Sequence, residues 1–163
     1  MKAAIALGSN LDDPVGQVEQ ALRELDGLPG TSVLARSKLH RTKPVGYANQ
    51  PDFVNACALV ETQMAPRALL DALLDIERAH GRVREIPNGP RTLDLDILLL
   101  GDFQINEPGL EIPHPRLAKR AFVLVPLNEI APEAIDPRSG KKMSELLKRL
   151  TDDRDGDVWD EAS

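Results

Sequence analysis

Aromatic residues, cysteines and long apolar segments are all scarce in this 163-residue chain. Aromatics make up 3% of it, it has one cysteine, and no apolar run approaches the roughly 18 residues of a membrane-spanning helix. One cysteine excludes an internal disulfide, and the short apolar start does not resemble a secretory signal. We therefore expect a cytoplasmic protein without a membrane partner.

A basic surface is missing too. The formal net charge is −6, which argues against general binding to nucleic acid. The length suits one domain with an ordinary core, for which we expect residues 1–150, followed by an acidic, frayed tail over 151–163. Nothing in the sequence calls for a second copy of the chain, so a monomer is the default.

One acidic strand stands out against this background. Residues 89–101 begin with a glycine-proline turn, alternate apolar and acidic residues, and then become wholly apolar. This pattern predicts a strand that enters the core, with Asp94 and Asp96 on one face, roughly 6 to 7 Å apart. Paired carboxylates of this kind suit Mg²⁺, which takes one or two carboxylates together with water and phosphate oxygens. A plainly solvated polar face is the alternative.

Proline, glycine and apolar spacing predict the elements around this strand. Strands are expected over residues 2–8, 31–40 and 52–62, and helices are expected to begin at Pro14 and Pro66. The order strand, helix, strand, strand, helix, strand predicts a ferredoxin-like α+β fold, with both helices on one face of an antiparallel sheet and an extension after residue 101. The other face would then be free for a site. The expected apolar stripes of the two helices are Val15, Val18, Leu22 and Leu25, and Leu69, Leu70, Leu73, Leu74 and Ile76.

An asparagine interrupts the strand predicted over residues 52–62. Asn55 sits where both faces of the strand look apolar, so its amide needs hydrogen-bond partners. Those partners are either protein groups or the edge of a ligand, whose ring Phe53 on the same face would cover. The preceding residues 42–51 are rich in turn formers and form either a binding loop or a long connection.

Three further polar residues allow two interpretations each. Glu77 lies at the edge of a helical stripe and is either solvated or a site residue. His80 in the last turn is more typical of a surface cation than of a ligand. His114, held between two prolines, is either a phosphate donor or a surface histidine.

A basic segment leads directly into the acidic strand. It carries Arg82, Arg84 and Arg91 on a stretch broken by prolines and a glycine. Arginine forks match phosphate oxygens, so arginines beside paired aspartates favour a polyphosphate ligand with bound metal. One class of ligand then explains both features.

The motif that carries these residues resembles a known family. Residues 89–97, Gly-Pro-Arg-Thr-Leu-Asp-Leu-Asp-Ile, resemble the diagnostic motif of the 6-hydroxymethyl-7,8-dihydropterin pyrophosphokinases of folate biosynthesis. Six shorter matches occur in the same order as in that family: Gly8-Ser9-Asn10, Arg41-Thr42, Pro51 to Asn55, Gly81 to Arg84, Ile112 to Arg116, and Arg120 to Phe122. The resemblance covers residues 1–150.

This resemblance implies a function and a set of site residues. Family members transfer pyrophosphate from ATP to the hydroxymethyl oxygen of the pterin and release AMP, and the implied co-substrate is ATP with two Mg²⁺ ions held by Asp94 and Asp96. The implied catalytic residues are Arg82, Arg91, Asp94 and Asp96. The implied pterin contacts are Thr42, Pro44, Val45, Phe53, Asn55 and Phe122. The implied ATP contacts are Glu77, Arg82, Arg84, Arg91, Ile97, His114, Arg116 and Arg120.

Two other functions stay open at this point. A metal-dependent nucleotidyl or phosphoryl transferase would also show paired aspartates, but it would need a basic groove. A non-catalytic ferredoxin-like binding module would need no aspartates beside arginines.

Overall fold

The computed structural model describes residues 1–43, 50–81, 92–152 and 161–162 of the chain. The helices are α1 (Pro14–Asp26), α2 (Pro66–Ala79), α3 (Ala121–Ile130) and α4 (Met143–Asp152), with a 3₁₀ turn at Leu117–Lys119. The strands are β1 (Lys2–Ser9), β2 (Thr31–Arg36), β3 (His40–Thr42), β4 (Phe53–Thr62), β5 (Asp94–Leu100), β6 (Ile105–Glu107), β7 (Leu110–Ile112) and β8 (Glu161–Ala162). No helix in these described ranges is long and apolar enough to cross a membrane.

The main sheet has the predicted ferredoxin-like arrangement. Its strands run in the order β5-β1-β4-β3-β8, β2 pairs with the other end of β4, and β1, β4 and β5 are antiparallel neighbours. The α+β class and the fold are confirmed. The segment predicted as one strand over 31–40 is two short strands, and residues 161–162 of the expected tail pair with β3.

Apolar residues on the two faces of the sheet form two separate clusters. On one face α1 and α2 bury Val18, Leu22, Leu69 and Leu73 against the sheet. Val15, which we expected in the α1 stripe, is 40% exposed because the α1 face that meets the sheet is carried instead by Val18, Ala21, Leu22 and Leu25.

The expectation that the second face of the sheet is free was only partly right. Helices α3 and α4 pack on it, burying Cys57, Leu98, Leu124 and Leu127 together. Helix α3 is apolar on nearly all sides, which is typical of a helix enclosed in a core. The part of this face near Phe53 and Asp94 borders a cleft, so the extension after residue 101 confines the site to one end of the sheet.

Candidate active site

A cleft of about 310 Å³ lies at this end of the second face, and we call it the main cleft. Strands β1, β3, β4 and β5 form its floor, and the segment from Arg116 into α3 forms a wall. Its lining residues are Ala6, Leu7, Gly8, Thr42, Lys43, Phe53, Asn55, Ala56, Asp94, Asp96, Arg116, Lys119, Arg120, Phe122 and Val123.

Small residues on the central strand make room for the cleft. Gly8 of β1 pairs with Asn55 on one side and with Asp94 on the other, and Ala6 pairs with Cys57 and Asp96. A Cβ atom on Gly8 would lie 3.0 Å from the Asn55 amide oxygen, which is tighter than ordinary contact. The cross-strand row at Gly8 therefore keeps an open space between an amide and a carboxylate.

The structure gives Asn55 a protein partner, which is one of the two interpretations that the sequence left open, and its contact with a ligand remains a prediction. It is 8% exposed, and its Nδ2 donates to the Thr42 hydroxyl oxygen at 2.6 Å. It also lines the main cleft together with Thr42 and Phe53. The protein thus fixes one end of the amide while the residue still borders the main cleft.

The two phenylalanines come to the same cleft from different elements. Phe53 is the first residue of β4, and Phe122 lies in the first turn of α3. The Arg120 guanidinium lies 5.4 Å from the centroid of the Phe122 ring, within the range of a cation–π contact. Two rings, an amide and a guanidinium suit a flat, polar heterocycle.

The paired aspartates face as predicted. Asp94 and Asp96 are both partly buried and line the main cleft, whereas Leu93, Leu95 and Ile97 belong to the core on the opposite face. Within the described ranges, no group of three or more His, Cys, Asp and Glu side chains is placed to hold a metal. Two carboxylates at an open cleft still fit Mg²⁺, because this ion usually keeps water and phosphate oxygens as its other ligands.

A second cleft of about 280 Å³, the side cleft, adjoins the first, and Asp96 lines both. Its lining residues are Leu70, Leu95, Asp96, Ile97, Glu107, Gly109, Leu110, Glu111, His114 and Pro115. The predicted nucleotide residues Ile97 and His114 therefore lie here, while Arg116 and Arg120 lie in the main cleft. The shared Asp96 makes the two spaces neighbours.

His114 is held in one orientation by the backbone around it. Its N–H donates to the Leu98 carbonyl oxygen at 3.0 Å, and its Nδ1 accepts the Arg116 N–H at 3.1 Å. Burial, with smaller effects from nearby charges that include Arg120, lowers the pKa of His114 to about 4. The ring is therefore neutral near pH 7 and carries its proton on Nε2, where it is a hydrogen-bond donor.

Glu77 is not solvated, which corrects one of the two interpretations offered above. It is 2% exposed, and its Oε2 accepts the Leu95 N–H at 2.8 Å. It thereby ties α2 to the outer edge of β5, directly behind the aspartates. Its contact with nucleotide remains a prediction.

His80 is also better enclosed than expected. Its side chain is 8% exposed and lies against Gln17 and Glu24 of α1. It joins the end of α2 to α1, so the expected position at the surface was wrong.

Five of the predicted site residues, Pro44, Val45, Arg82, Arg84 and Arg91, lie outside the described residues. In the described part, the sequence reasoning missed Lys43 and Lys119, which add two cations to the main cleft. The signal for Lys119 was its place in the basic run that ends at Arg120. Gly8, which the sequence analysis named only as part of a family match, also lines this cleft.

Comparison with known proteins agrees with this geometry. Residues 4–132 match the family model described as 7,8-dihydro-6-hydroxymethylpterin-pyrophosphokinase. The chain belongs to this family. The 2-amino-4-hydroxy-6-hydroxymethyldihydropteridine pyrophosphokinase of Pseudomonas aeruginosa is 48% identical over 143 residues, which cover 88% of each chain. The protein of the same name from Haemophilus influenzae is 47% identical over 150 residues, covering 92% of this chain and 93% of the relative.

Solved structures of larger proteins contain a similar fold. The Plasmodium falciparum HPPK-DHPS wild type superposes with a TM-score of 0.74 at 16% identity, covering 96% of this chain. This chain spans 46% of that larger protein. At this low identity the likeness shows the fold alone.

Proposed function

We propose that this chain transfers pyrophosphate from ATP to the hydroxymethyl oxygen of 6-hydroxymethyl-7,8-dihydropterin, releasing AMP, and that the main cleft is the active site. The observation that carries the proposal is the composition of the cleft. It combines Asp94 and Asp96, which suit metal and phosphate, with Phe53, Asn55 and Phe122, which suit a pterin. Membership of the pyrophosphokinase family supports it.

The pterin is assigned to the space between Phe53 and Phe122. The rings would cover its two faces, and Asn55, oriented by Thr42, would hydrogen-bond its edge. We assign Pro44 and Val45 to the same edge from the family resemblance. The ring of Phe122 is in turn backed by Arg120.

ATP is assigned to the side cleft, with its phosphates reaching the main cleft beside Asp96. In this assignment Ile97 and Glu77 lie on the nucleotide side of β5. The neutral His114 would donate a hydrogen bond from Nε2 to the nucleotide. Arg116 and Arg120 bring positive charge to the phosphates from the described wall. Arg82, Arg84 and Arg91 add to it on the basis of the family motif.

Asp94 and Asp96 are the residues that would hold Mg²⁺, and we infer two ions. When bound, Mg²⁺ neutralises the triphosphate charge and spreads the charge that develops during transfer. The hydroxymethyl oxygen forms its bond to the β-phosphorus while the bond from that phosphorus to the oxygen of the α-phosphate breaks. AMP leaves, and the hydroxyl proton passes to Asp96 or to a phosphate oxygen. Positioning and charge supply most of the acceleration.

The test is product analysis with ATP, Mg²⁺ and hydroxymethyldihydropterin. We expect AMP and pterin pyrophosphate in equal amounts, whereas ADP as the nucleotide product would contradict pyrophosphoryl transfer. The variant Asp96→Asn should fold and lose at least about 100-fold in kcat, because several kcal/mol of charge stabilisation depend on the metal site. Asp102→Asn, a change of the same kind in the exposed turn after β5, is the control and should keep normal activity.

We also infer that the chain acts as a monomer in the cytoplasm. Its one cysteine, Cys57, is buried and its thiol lies against the Val123 carbonyl oxygen, so it is shielded from partners. Burial also raises the pKa of this thiol, which suppresses its reactivity. Light scattering at micromolar concentration tests the monomer, and a mass near twice 17.9 kDa would contradict it.

A further inference from the structure

One carboxylate joins β3, which is part of the floor of the main cleft, to α3, which is part of its wall. Glu129, near the end of α3, accepts the Lys38 N–H on Oε1 at 2.9 Å, and its Oε2 pairs with Nε2 of His40. These contacts span 91 and 89 residues of sequence. They fasten α3 to the backbone just before β3 and to the first residue of β3.

On the sheet side, this contact lies next to Thr42 and Asn55, the polar residues of β3 and β4 that line the cleft. His40 pairs with Asn55 across the two strands, and Thr42 pairs with Phe53. Residues two apart in a strand share a face, so Thr42 follows His40 on the same side and holds the Asn55 amide. A shift at His40 is therefore passed directly to the amide and to Phe53.

On the helix side, Glu129 lies on the same side of α3 as Phe122, the aromatic residue of the cleft wall. Phe122 precedes Glu129 by seven residues, which is two helical turns, so both lie on the same side of α3 about 10 Å apart. The side chains of His40 and Glu129 are 12% and 29% exposed, so solvent screens this pair in part. The position of α3 on β3 and β4 in turn fixes the gap between Phe122 and Phe53.

We propose that Glu129 is a positioning residue for the pterin: through Lys38 and His40 it sets the separation between Phe122 and the edge formed by Thr42, Asn55 and Phe53. The proposal rests on the proposed function of the main cleft. It predicts a larger effect on the pterin than on ATP, because the side cleft is built on β5, β6, β7 and α2, which Glu129 does not touch among the described contacts. Only the phosphate contacts of Arg116 and Arg120 lie on the wall that leads into α3.

The test compares Glu129→Ala and His40→Phe with the wild type. We expect the KM for the pterin to rise about tenfold in both, since small displacements of a binding wall have large effects, while the KM for ATP changes less than twofold. The double variant should be no worse than Glu129→Ala, because Glu129→Ala already breaks the contact with His40 that His40→Phe removes. Glu129→Gln keeps an acceptor for the Lys38 amide and a polar group beside His40, and it should keep most of the pterin affinity.

A matched control is available on the opposite face of the sheet. Glu19 of α1 also ties a helix to a strand, with both carboxylate oxygens accepting from Arg36 of β2 at 2.8 and 2.9 Å. Glu19→Ala should leave the pterin KM unchanged. An unchanged pterin KM in Glu129→Ala, or an equal rise in both KM values, would overturn the proposal.

Direct titration of pterin separates this proposal from the proposed function. If the wild type makes no AMP, the proposed function fails, yet the affinity of each variant for pterin still tests the role of Glu129. If the wild type makes AMP and Glu129→Ala binds pterin normally, the positioning proposal alone fails. Should Glu129→Ala not fold, His40→Phe gives the decision, and an unchanged pterin KM in that variant would overturn the proposal.

Discussion

The side-chain amide of Asn55 donates to the Thr42 hydroxyl at 2.6 Å, joining β4 to β3 at the border of the main cleft. A buried amide that lost this partner would have to find another or remain unsatisfied, at a cost of about 1–3 kcal/mol. The contact therefore couples the stability of the sheet to the orientation of a group that we assign to the pterin.

Thr42→Val tests that coupling. The variant keeps the shape of the side chain but removes the acceptor, so we expect a loss of about 1–3 kcal/mol in the free energy of unfolding and a raised KM for the pterin. Urea unfolding and steady-state kinetics measure the two effects. Thr31→Val is the control, because Thr31 bonds to the Thr62 hydroxyl at 2.8 Å far from the cleft. It should lose stability and keep the pterin KM, and a raised KM there would contradict the explanation.

Gly8→Ala tests the space on the cleft floor. The new methyl group would lie 3.0 Å from the Asn55 amide oxygen and would displace that side chain. We expect weaker pterin binding in a direct titration, with little change in ATP binding. In Gly27→Ala the new methyl group meets backbone oxygens at 3.6 and 3.7 Å, an ordinary contact at the end of α1. Equal pterin affinities in the two variants would argue against a steric role for Gly8.

Glu77 offers a test that separates structure from nucleotide contact. Glu77→Gln keeps an acceptor for the Leu95 N–H, whereas Glu77→Leu leaves that N–H unsatisfied. We expect Glu77→Leu to be less stable than Glu77→Gln by about 1–3 kcal/mol in urea unfolding. If Glu77 also contacts ATP through its charge, the KM for ATP rises in Glu77→Gln although the fold is kept. Equal stability of the two variants would show that the contact with Leu95 contributes nothing.

The His114 environment predicts a pH dependence of stability. Its pKa in the folded chain is about 4, below the ordinary value of 6.5, so the unfolded chain binds more protons between these values. Its contribution is therefore complete above about pH 6.5 and is lost as the pH falls through about 4. His114→Gln should show a shallower loss of unfolding free energy than the wild type between pH 7 and pH 4.

The measurement for this prediction is chemical denaturation at a series of pH values, with NMR of the ring nitrogens as an independent readout. The spectrum should show a neutral ring protonated on Nε2 at pH 7. Parallel stability profiles for the wild type and His114→Gln would contradict the assignment.

The features that the sequence predicted well are those fixed by local periodicity. Asp94 and Asp96 were placed on one face because side chains alternate in any strand, and Pro14 and Pro66 marked the helix starts because proline suits a first turn. Asn55 was recognised as a site candidate because an amide in an apolar strand must be hydrogen-bonded.

The predictions that failed concern residues whose partners lie far away in the sequence. The surroundings of Glu77 depend on the approach of Leu95, and those of His80 depend on α1, 56 to 63 residues away. The apolar run after Arg120 does not indicate which face of the sheet it covers. Helix α3 covers part of the face that we expected to be free. Its position sets where the cleft begins.

The contact between Glu77 and Leu95 has a consequence beyond the site. In the described sheet β5 is an outer strand, and outer strands expose amides and carbonyls that can recruit strands from other molecules. Here the Leu95 N–H is taken by Glu77 and the Leu98 carbonyl oxygen by the His114 N–H. Two polar backbone groups of the strand that bears the aspartates are thus occupied within the chain, which leaves fewer of them for pairing with a strand of another molecule.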